Sequence, residues 1–143
     1  MLQDRLTYLL GRVAAAAGKA ANAKLATLDL DTRHYSALAV IVHSDGPSQQ
    51  TVAAALGADR ATVVALVDEL ERRRLVRRAT NPLDRRAHAL HATPAGRRLA
   101  KQAHQLMDQC EQEFLARLED PERAALAATL QTLLRQTEPP NDR

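Results

Sequence analysis

The feature that most constrains the fold is a single change of hydrophobic period near residue 75. Before it, apolar residues recur at three- and four-residue steps, as in 63–70, which is typical of helices. Beyond it, two short strand-like segments, 75–79 and 86–92, flank the turn residues 81–85. An isolated pair of strands is only marginally stable, so this hairpin must pack against helices. The sequence therefore predicts a mainly α fold with a small β-hairpin.

Amino-acid usage supports the helical part of this prediction. The 143 residues include 28 alanines and 22 leucines but one isoleucine, so strong helix formers outweigh β-branched residues. The length fits one domain, residues 1–143, and the tail 138–143 is predicted to be disordered. Six helices are predicted: one over 4–23, a second from Asp31 or Thr32 through Val42, and four that begin at Gln49, after Asp59, at Thr93-Pro94 and at Asp120-Pro121.

Local capping signals divide the segment 49–70 into two helices. Ser48 suits the N-cap of a short helix, Gln49–Leu56, Gly57 suits its C-terminal end, and Asp59 suits the next N-cap. Small residues at the helix approach and a glycine in the turn are typical of a helix-turn-helix. In that motif the face of the second helix that enters a major groove carries Arg60, Ala61, Val64 and Ala65.

Positive charge is concentrated just after this motif. Residues 72–98 contain nine arginines and one acid, a net charge of +8, whereas the rest of the chain carries −5. Such a cluster favours binding of a polyanion, nucleic acid above all, although a charge run can also be a solvated surface. A basic hairpin directly after a helix-turn-helix is the order found in winged helix-turn-helix domains.

Spaced motifs along nearly the whole chain resemble the MarR-type transcriptional regulators (multiple antibiotic resistance regulators). The fourth predicted helix matches in 56–63 and 66–71, and Asp84-Arg85-Arg86 resembles the family's Asp-x-Arg wing motif. Thr93-Pro94-Ala95-Gly96 then resembles the start of the family's next helix, with Ala92 in place of a leucine.

The resemblance implies a triangular homodimer that binds double-stranded DNA. Residues 32–92 would form the winged helix-turn-helix lobe, and the helices in 4–23 and 94–137 would form the dimer base. Each fourth helix would enter a major groove and each wing the adjacent minor groove, at half-sites about 34–36 Å apart. A monomeric helical domain is the alternative. The DNA-binding residues are predicted to be Gln49, Arg60, Ala61, Thr62, Val64, Ala65, Arg74, Arg77, Arg85 and Arg86.

Three positions depart from the family pattern. Arg74 stands where members often have glycine, and Val64 and Ala65 stand where they often have polar or basic residues. Apolar side chains can touch a thymine methyl but cannot hydrogen-bond a base edge. Arg60 is then the main long donor, reading a base or contacting a phosphate.

The wing arginines and their neighbours leave further alternatives. At least one of Arg85 and Arg86 is expected to project into a minor groove. The family's wing motif implies that Asp68 or Asp84 holds the other arginine in place. Arg77 and Arg78 alternate along a strand, so only one of them can face the DNA backbone.

The resemblance also implies a small-molecule effector pocket between the two parts of the protein. Tyr8, Arg12, His34 and Tyr35 are candidates to line it, because phenols, a cation and an imidazole suit an aromatic or phenolic acid. Ordinary packing and surface polarity are the alternative for each of them.

Other chemistry has little support in the sequence. Cys110 lies on the apolar stripe of the fifth helix and is interpreted as a core residue, with redox sensing as the alternative. The five histidines lack metal-ligand spacing, and no nucleophile elbow or phosphate loop is present. We therefore expect no enzyme, metal or cofactor, no membrane span, and a cytoplasmic location. The predicted function is a sequence-specific DNA-binding repressor; the alternative is a winged-helix interaction module without specific DNA recognition.

Overall fold

The computed structural model describes residues 1–80 and 88–137, in which six α-helices and one β-hairpin follow each other in the predicted order. Contacts divide the chain into two compact units, Met1–Cys110 and Glu111–Arg143. The single domain predicted for 1–143 stays a prediction. The helices are α1 (Leu6–Leu25), α2 (Thr32–His43), α3 (Gln49–Leu56), α4 (Arg60–Arg72), α5 (Pro94–Phe114) and α6 (Asp120–Thr137), and the strands are β1 (Val76–Thr80) and β2 (His88–Ala92).

Capping residues explain where the middle helices begin. The side chains of Asp31, Ser48 and Asp59 accept backbone N–H bonds from His34, Thr51 and Thr62 respectively, at 2.8, 3.0 and 2.8 Å. Each bond satisfies a donor that the first helical turn leaves without a partner. These three starts are those that the sequence predicted.

Three helical segments end with a residue of positive φ, but only one of these residues is a glycine. They are Asp29 (φ 53°), Gly57 (φ 58°) and Arg74 (φ 59°). At α4 the N–H of Leu75 donates to Leu70 O at 2.9 Å and the N–H of Arg74 to Glu71 O at 2.8 Å, which is the Schellman pattern. Glycine, which the family resemblance favours at position 74, would adopt this positive φ without the steric cost of a Cβ.

The hairpin is antiparallel and anchored at its base. Val76 pairs with Ala92 and Thr80 with His88, and the N–H of Leu90 donates to Pro47 O at 2.9 Å. The face that carries Val76, Leu90 and Ala92 is buried. The first strand begins one residue later than predicted, and residues 86 and 87 of the second predicted strand lie outside the described residues.

Close approach of α5 to the hairpin depends on Gly96. A Cβ at this position would overlap the carbonyl oxygen of Leu75 and lie 2.9 Å from its carbonyl carbon. The Thr93 hydroxyl accepts from the Gly96 N–H at 3.0 Å and lies 2.8 Å from Arg74 O, to which it can donate. Thr93 therefore caps α5 and also holds it against the end of α4.

Two apolar clusters form the core of the unit 1–110. The larger one packs α2, α3 and α4 against the hairpin, and its fully buried members include Leu38, Val52 and Val67. The smaller one joins Leu25 and Leu30 to Ala103 of α5. Val63 and Leu66 of α4 are both buried in the larger cluster, which therefore holds the helix-turn-helix together with α2, the hairpin and Ala100 of α5.

The terminal helices keep their apolar stripes exposed. Leu6 and Val13 of α1 are 76% and 53% exposed, and α6 has no buried residue. The first helix begins at Leu6, not Asp4, because Arg5 is extended (φ −82°, ψ 123°) after a short 3₁₀ turn. The fifth helix ends at Phe114.

No single helix within 1–80 and 88–137 is both long and apolar enough to cross a membrane. Helices α3 and α4 reach that length and apolarity only as a pair, and they are bent by 114° at the turn between them.

Candidate nucleic-acid interface

Helix α4 presents one open face next to the hairpin. Arg60, Ala61 and Ala65 are exposed and Val64 is half-buried, while Val63, Leu66, Val67 and Leu70 are buried on the opposite face. The exposed group is the face predicted for groove contact. Arg60 makes no hydrogen bond or ion pair to another described residue, so its guanidinium is available for a ligand.

Thr62 and Gln49, two of the predicted DNA contacts, lie in the first turns of their helices. Both the N–H and the hydroxyl of Thr62 donate to the carboxylate of Asp59, each at 2.8 Å. These bonds lower the pKa of Asp59, the backbone bond most of all. Gln49 is the first residue of α3 and is half-buried. The Thr62 side chain is therefore already hydrogen-bonded to the residue that caps α4.

The two strand arginines face opposite ways, as strand alternation required. Arg77 is exposed and has no hydrogen bond or ion pair within 1–80 and 88–137. Arg78 lies on the face that carries the buried Val76 and Leu90. Of this pair, only Arg77 is free to meet a phosphate.

Arg78 connects the hairpin to α4. Its guanidinium donates to Asp68 Oδ1 at 2.5 Å and to Glu71 Oε2, and its backbone N–H donates to Glu71 Oε1 at 3.1 Å. Partial burial acts to lower the pKa of Arg78, but hydrogen bonds and charge attraction from the two carboxylates outweigh burial and raise it. The guanidinium stays charged, and the contact fixes the angle between wing and helix.

The arginines at the end of α4 also divide into two groups. Arg72 donates to both carboxylate oxygens of Glu69, at 2.9 and 2.6 Å, and Arg73 donates to backbone carbonyls of another segment. Arg74 is exposed and unpaired among the described residues. Three arginines of residues 72–98 are thus committed to internal contacts, whereas four are exposed and have no partner among the described residues: Arg74, Arg77, Arg97 and Arg98.

The wing tip lies outside the described residues. This applies to the predicted contacts Arg85 and Arg86 and to Asp84, so their roles stay predictions. Asp68, one of the two acids expected to brace a wing arginine, accepts a bond from Arg78.

The four effector candidates form separate hydrogen-bonded groups. Arg12 donates to the Tyr8 hydroxyl at 3.2 Å on α1, and the His34 ring lies 2.8 Å from the cap carboxylate of Asp31. The Tyr35 hydroxyl lies 3.1 Å from His104 Nδ1 of α5. No hydrogen bond joins these groups to one another within the described residues, so their joint pocket stays a prediction.

Tyr35 has the most distinctive setting of the four. Partial burial raises the pKa of Tyr35, and the nearby carboxylate of Asp108 raises it further. His104 Nε2 lies 3.8 Å from the same carboxylate. A phenol, an imidazole and a carboxylate therefore meet between α2 and α5, although no pattern in the sequence singles out His104 or Asp108.

Cys110 is 5% exposed, which confirms its interpretation as a core residue. Among the residues that the structure describes, no three His, Cys, Asp or Glu side chains are grouped as metal ligands. Sequence reasoning missed the acid pair that holds Arg78. Its signal was the spacing of Asp68 and Glu71, which places two carboxylates on one side of a helix.

A helix-turn-helix followed by a basic antiparallel hairpin defines this chain as a winged helix-turn-helix DNA-binding protein. A model of the MarR family matches residues 28–87. The chain belongs to the MarR family of transcriptional regulators.

Several relatives resemble the chain closely. CouR of Rhodococcus jostii RHA1, solved with p-coumaroyl-CoA, is 36% identical with a TM-score of 0.84, covering 93% of this chain and 94% of that one. CouR bound to a 23-mer DNA duplex is 30% identical with a TM-score of 0.89 and the same coverage. A candidate transcriptional regulatory protein for the hcr operon of Thauera aromatica is 40% identical over 71% of this chain, which spans 61% of that relative's length.

Proposed function

We propose that this protein is a homodimeric repressor that binds a two-fold operator and leaves it when a small-molecule effector binds. The observation that carries the DNA-binding part is the open face of α4 beside Arg77, an exposed arginine without a partner among the described residues. A regulator of this kind acts where the DNA is, so we place it in the cytoplasm and assign it no catalytic role.

On DNA, the exposed residues of α4 would lie in a major groove and the hairpin in the adjacent minor groove. Arg74 and Arg77 supply phosphate contacts, and Arg60 supplies a base or phosphate contact at the helix start. Ala61, Val64 and Ala65 allow close approach and can touch thymine methyl groups. The relative CouR has been solved on a DNA duplex, which supports this docking. Arg85 and Arg86 belong to the proposal from the sequence alone.

The dimer is supported by the apolar stripes of the terminal helices. Leu130 and Leu133 of α6 are 37% and 41% exposed, and Leu6 and Leu10 of α1 are 76% and 41% exposed. Leucines repeated along a helix face are normally buried, and closed two-fold dimers are the commonest soluble assemblies. A second copy of the chain is the occupant that we propose for these stripes.

Fluorescence anisotropy with labelled DNA from the flanking intergenic region tests the interface. Arg77→Ala is expected to weaken binding of all sequences alike and to reduce the slope of log affinity against log salt by about one unit, because one phosphate contact is lost. Arg117→Ala is the matched control, since it removes the same charge from an exposed site in the unit 111–143. Arg60→Ala should alter preference among operator variants if Arg60 reads a base.

Two outcomes would count against this interface. An unchanged salt slope in Arg77→Ala would remove the strand arginine from the DNA contact. Equal affinity of the unmodified protein for intergenic and unrelated DNA would favour the interaction module, for which the apolar Val64 and Ala65 are the argument.

We propose that the effector is an aromatic acid or its coenzyme A thioester, bound beside Tyr35. The support is the group formed by Tyr35, His104 and Asp108, together with the p-coumaroyl-CoA ligand of the relative CouR. A phenol and an imidazole can exchange hydrogen bonds with a phenolic or acyl oxygen. Tyr8, Arg12 and His34 are the further lining candidates.

Titration of the protein–DNA complex with p-coumaroyl-CoA, free p-coumarate and coenzyme A alone separates the possible parts of the ligand. The thioester is expected to release DNA, and Tyr35→Phe should raise the concentration needed while leaving affinity for DNA unchanged. Release by coenzyme A alone, or an equal response in Tyr35→Phe, would contradict this site.

A further inference from the structure

Arg73 differs from the two arginines beside it. Arg73 is the C-cap residue of α4 and precedes the left-handed Arg74. It is half-buried, whereas Arg72 and Arg74 are exposed. Its Nη1 donates to the carbonyl oxygen of Asp29 at 2.7 Å, and its Nη2 lies 3.5 Å from that of Leu28. The guanidinium is therefore directed into the protein.

The acceptors are the free carbonyls at the end of another helical segment. Helix α1 continues into a 3₁₀ turn, Ala26–Leu28, which ends at the left-handed Asp29. The N–H of Leu30 donates back to Leu25 O at 3.1 Å. Helical ends leave their last carbonyls without internal partners, and a cation there also meets the negative end of the helix dipole. Arg73 thus caps α1 from a position 44 residues away.

This turn is fixed to α5 through its flanking leucines. Leu25 and Leu30 are 0% and 4% exposed and pack with Ala103. Helix α4 packs in the larger cluster with α2, α3, the hairpin and Ala100 of α5, and Thr93 also links its end to α5. The Arg73 bond adds a tie from the C-terminal end of α4 to the turn that follows α1.

We propose that Arg73 is a positioning residue that sets the placement of α4 relative to α1 and does not itself contact DNA. This inference rests on the proposed DNA-binding function only in its consequence for affinity. The placement itself is a property of the free protein, so the two can fail separately. Since α1 carries part of the proposed dimer surface, the same bond affects how the two recognition helices are held for adjacent half-sites.

The first measurement needs no DNA. Spin labels at Ala23→Cys on α1 and Ala65→Cys on α4, in a Cys110→Ala background diluted with unlabelled protein, report the distance between the two helices. Arg73→Met removes the donors but keeps the aliphatic stem, and it is expected to broaden the distance distribution. Arg72→Met is the matched control, because it removes the same charge one residue earlier from an exposed side chain and is expected to leave the distribution unchanged.

The second measurement is DNA affinity against salt. Arg73→Met is expected to weaken operator binding about tenfold, the scale of one charge-assisted hydrogen bond, with an unchanged salt slope because no phosphate contact is lost. Arg73→Lys, which keeps one cationic donor, should recover part of the affinity. If Arg73→Met does not fold, Arg73→Lys is used for the distance measurement.

Two results would overturn the proposal. A salt slope reduced by about one unit in Arg73→Met would make Arg73 a phosphate contact. A distance distribution as narrow as that of Arg72→Met would show that the bond does not position α4. If the unmodified protein fails to bind operator DNA while the distance broadens as expected, the DNA-binding function fails and the positioning role stands.

Discussion

Replacing Arg74 by glycine should make the protein more stable and lower its affinity for DNA. Arg74 holds a φ of 59° at the position after the α4 end, where its N–H and that of Leu75 close the helix. A left-handed conformation costs an L-residue about 1–2 kcal/mol, because Cβ approaches the following carbonyl oxygen. Glycine avoids that contact, so the folded state gains.

The gain is smaller than the full backbone cost, because glycine also has a freer unfolded chain. That entropy amounts to about 0.4–1 kcal/mol. The net stabilisation expected for Arg74→Gly is therefore about 0.5–1 kcal/mol, which corresponds to roughly 2–4 °C in Tm for a chain of this size. Arg74→Ala keeps the positive φ and should change the free energy of unfolding by less than about 0.5 kcal/mol.

Gly57 provides the opposite experiment in the same protein. It ends α3 with a φ of 58°, and a Cβ built there would meet no atom within 4 Å. Gly57→Ala is therefore expected to destabilise by about 1 kcal/mol through backbone conformation alone. The two effects should have opposite signs.

Urea unfolding at a fixed protein concentration, needed because a dimer's stability depends on concentration, measures these differences. DNA affinity measured against salt tests the phosphate contact. In both Arg74→Gly and Arg74→Ala, the slope of log affinity against log salt should fall by about one unit. A less stable Arg74→Gly protein would refute the backbone argument. An unchanged slope in both variants would remove Arg74 from the DNA contact.

Three further predictions concern packing and pH. Gly96→Ala should destabilise by about 3 kcal/mol in urea unfolding, because its Cβ would overlap a backbone carbonyl, whereas Gly18→Ala, in open space on α1, should not. Cys110→Ala should cost about 1 kcal/mol from lost packing and leave DNA binding insensitive to peroxide; a peroxide response lost in this variant would contradict the core role. The pKa of Asp59 is lowered in the folded state, so its contribution to stability is present above its unfolded pKa and is lost as pH falls through the folded value. Asp59→Asn should therefore flatten the profile of Tm against pH between about pH 5 and pH 2. A profile identical to that of the unmodified protein would contradict this role.

Local signals accounted for most of the fold. The helix Gln49–Leu56 was predicted with its exact bounds, because Ser48 and Gly57 act through bonds within four residues of themselves. Capping chemistry is encoded next to the helix that it ends. The first helix was predicted to begin too early, at Asp4. Its N-cap is Arg5, and arginine is not a residue type that signals a helix start.

Long-range choices could not be read in this way. Strand alternation showed that Arg77 and Arg78 face opposite sides, but the inward side is decided by α4, which carries Asp68 and Glu71. The Arg73 bond joins segments 44 residues apart, and nothing in an arginine triplet distinguishes its middle member. Charge density located the candidate interface, while tertiary packing decided which cations remain free.

The contact between Tyr35 and His104 also provides a built-in optical signal. The sequence has no tryptophan and two tyrosines, Tyr8 and Tyr35. With Tyr8→Phe, all tyrosine emission of the protein would arise from the phenol that lies against His104 between α2 and α5. Since a hydrogen bond to an imidazole alters tyrosine fluorescence, arrival of a ligand or movement between these helices can be followed in real time without an attached dye.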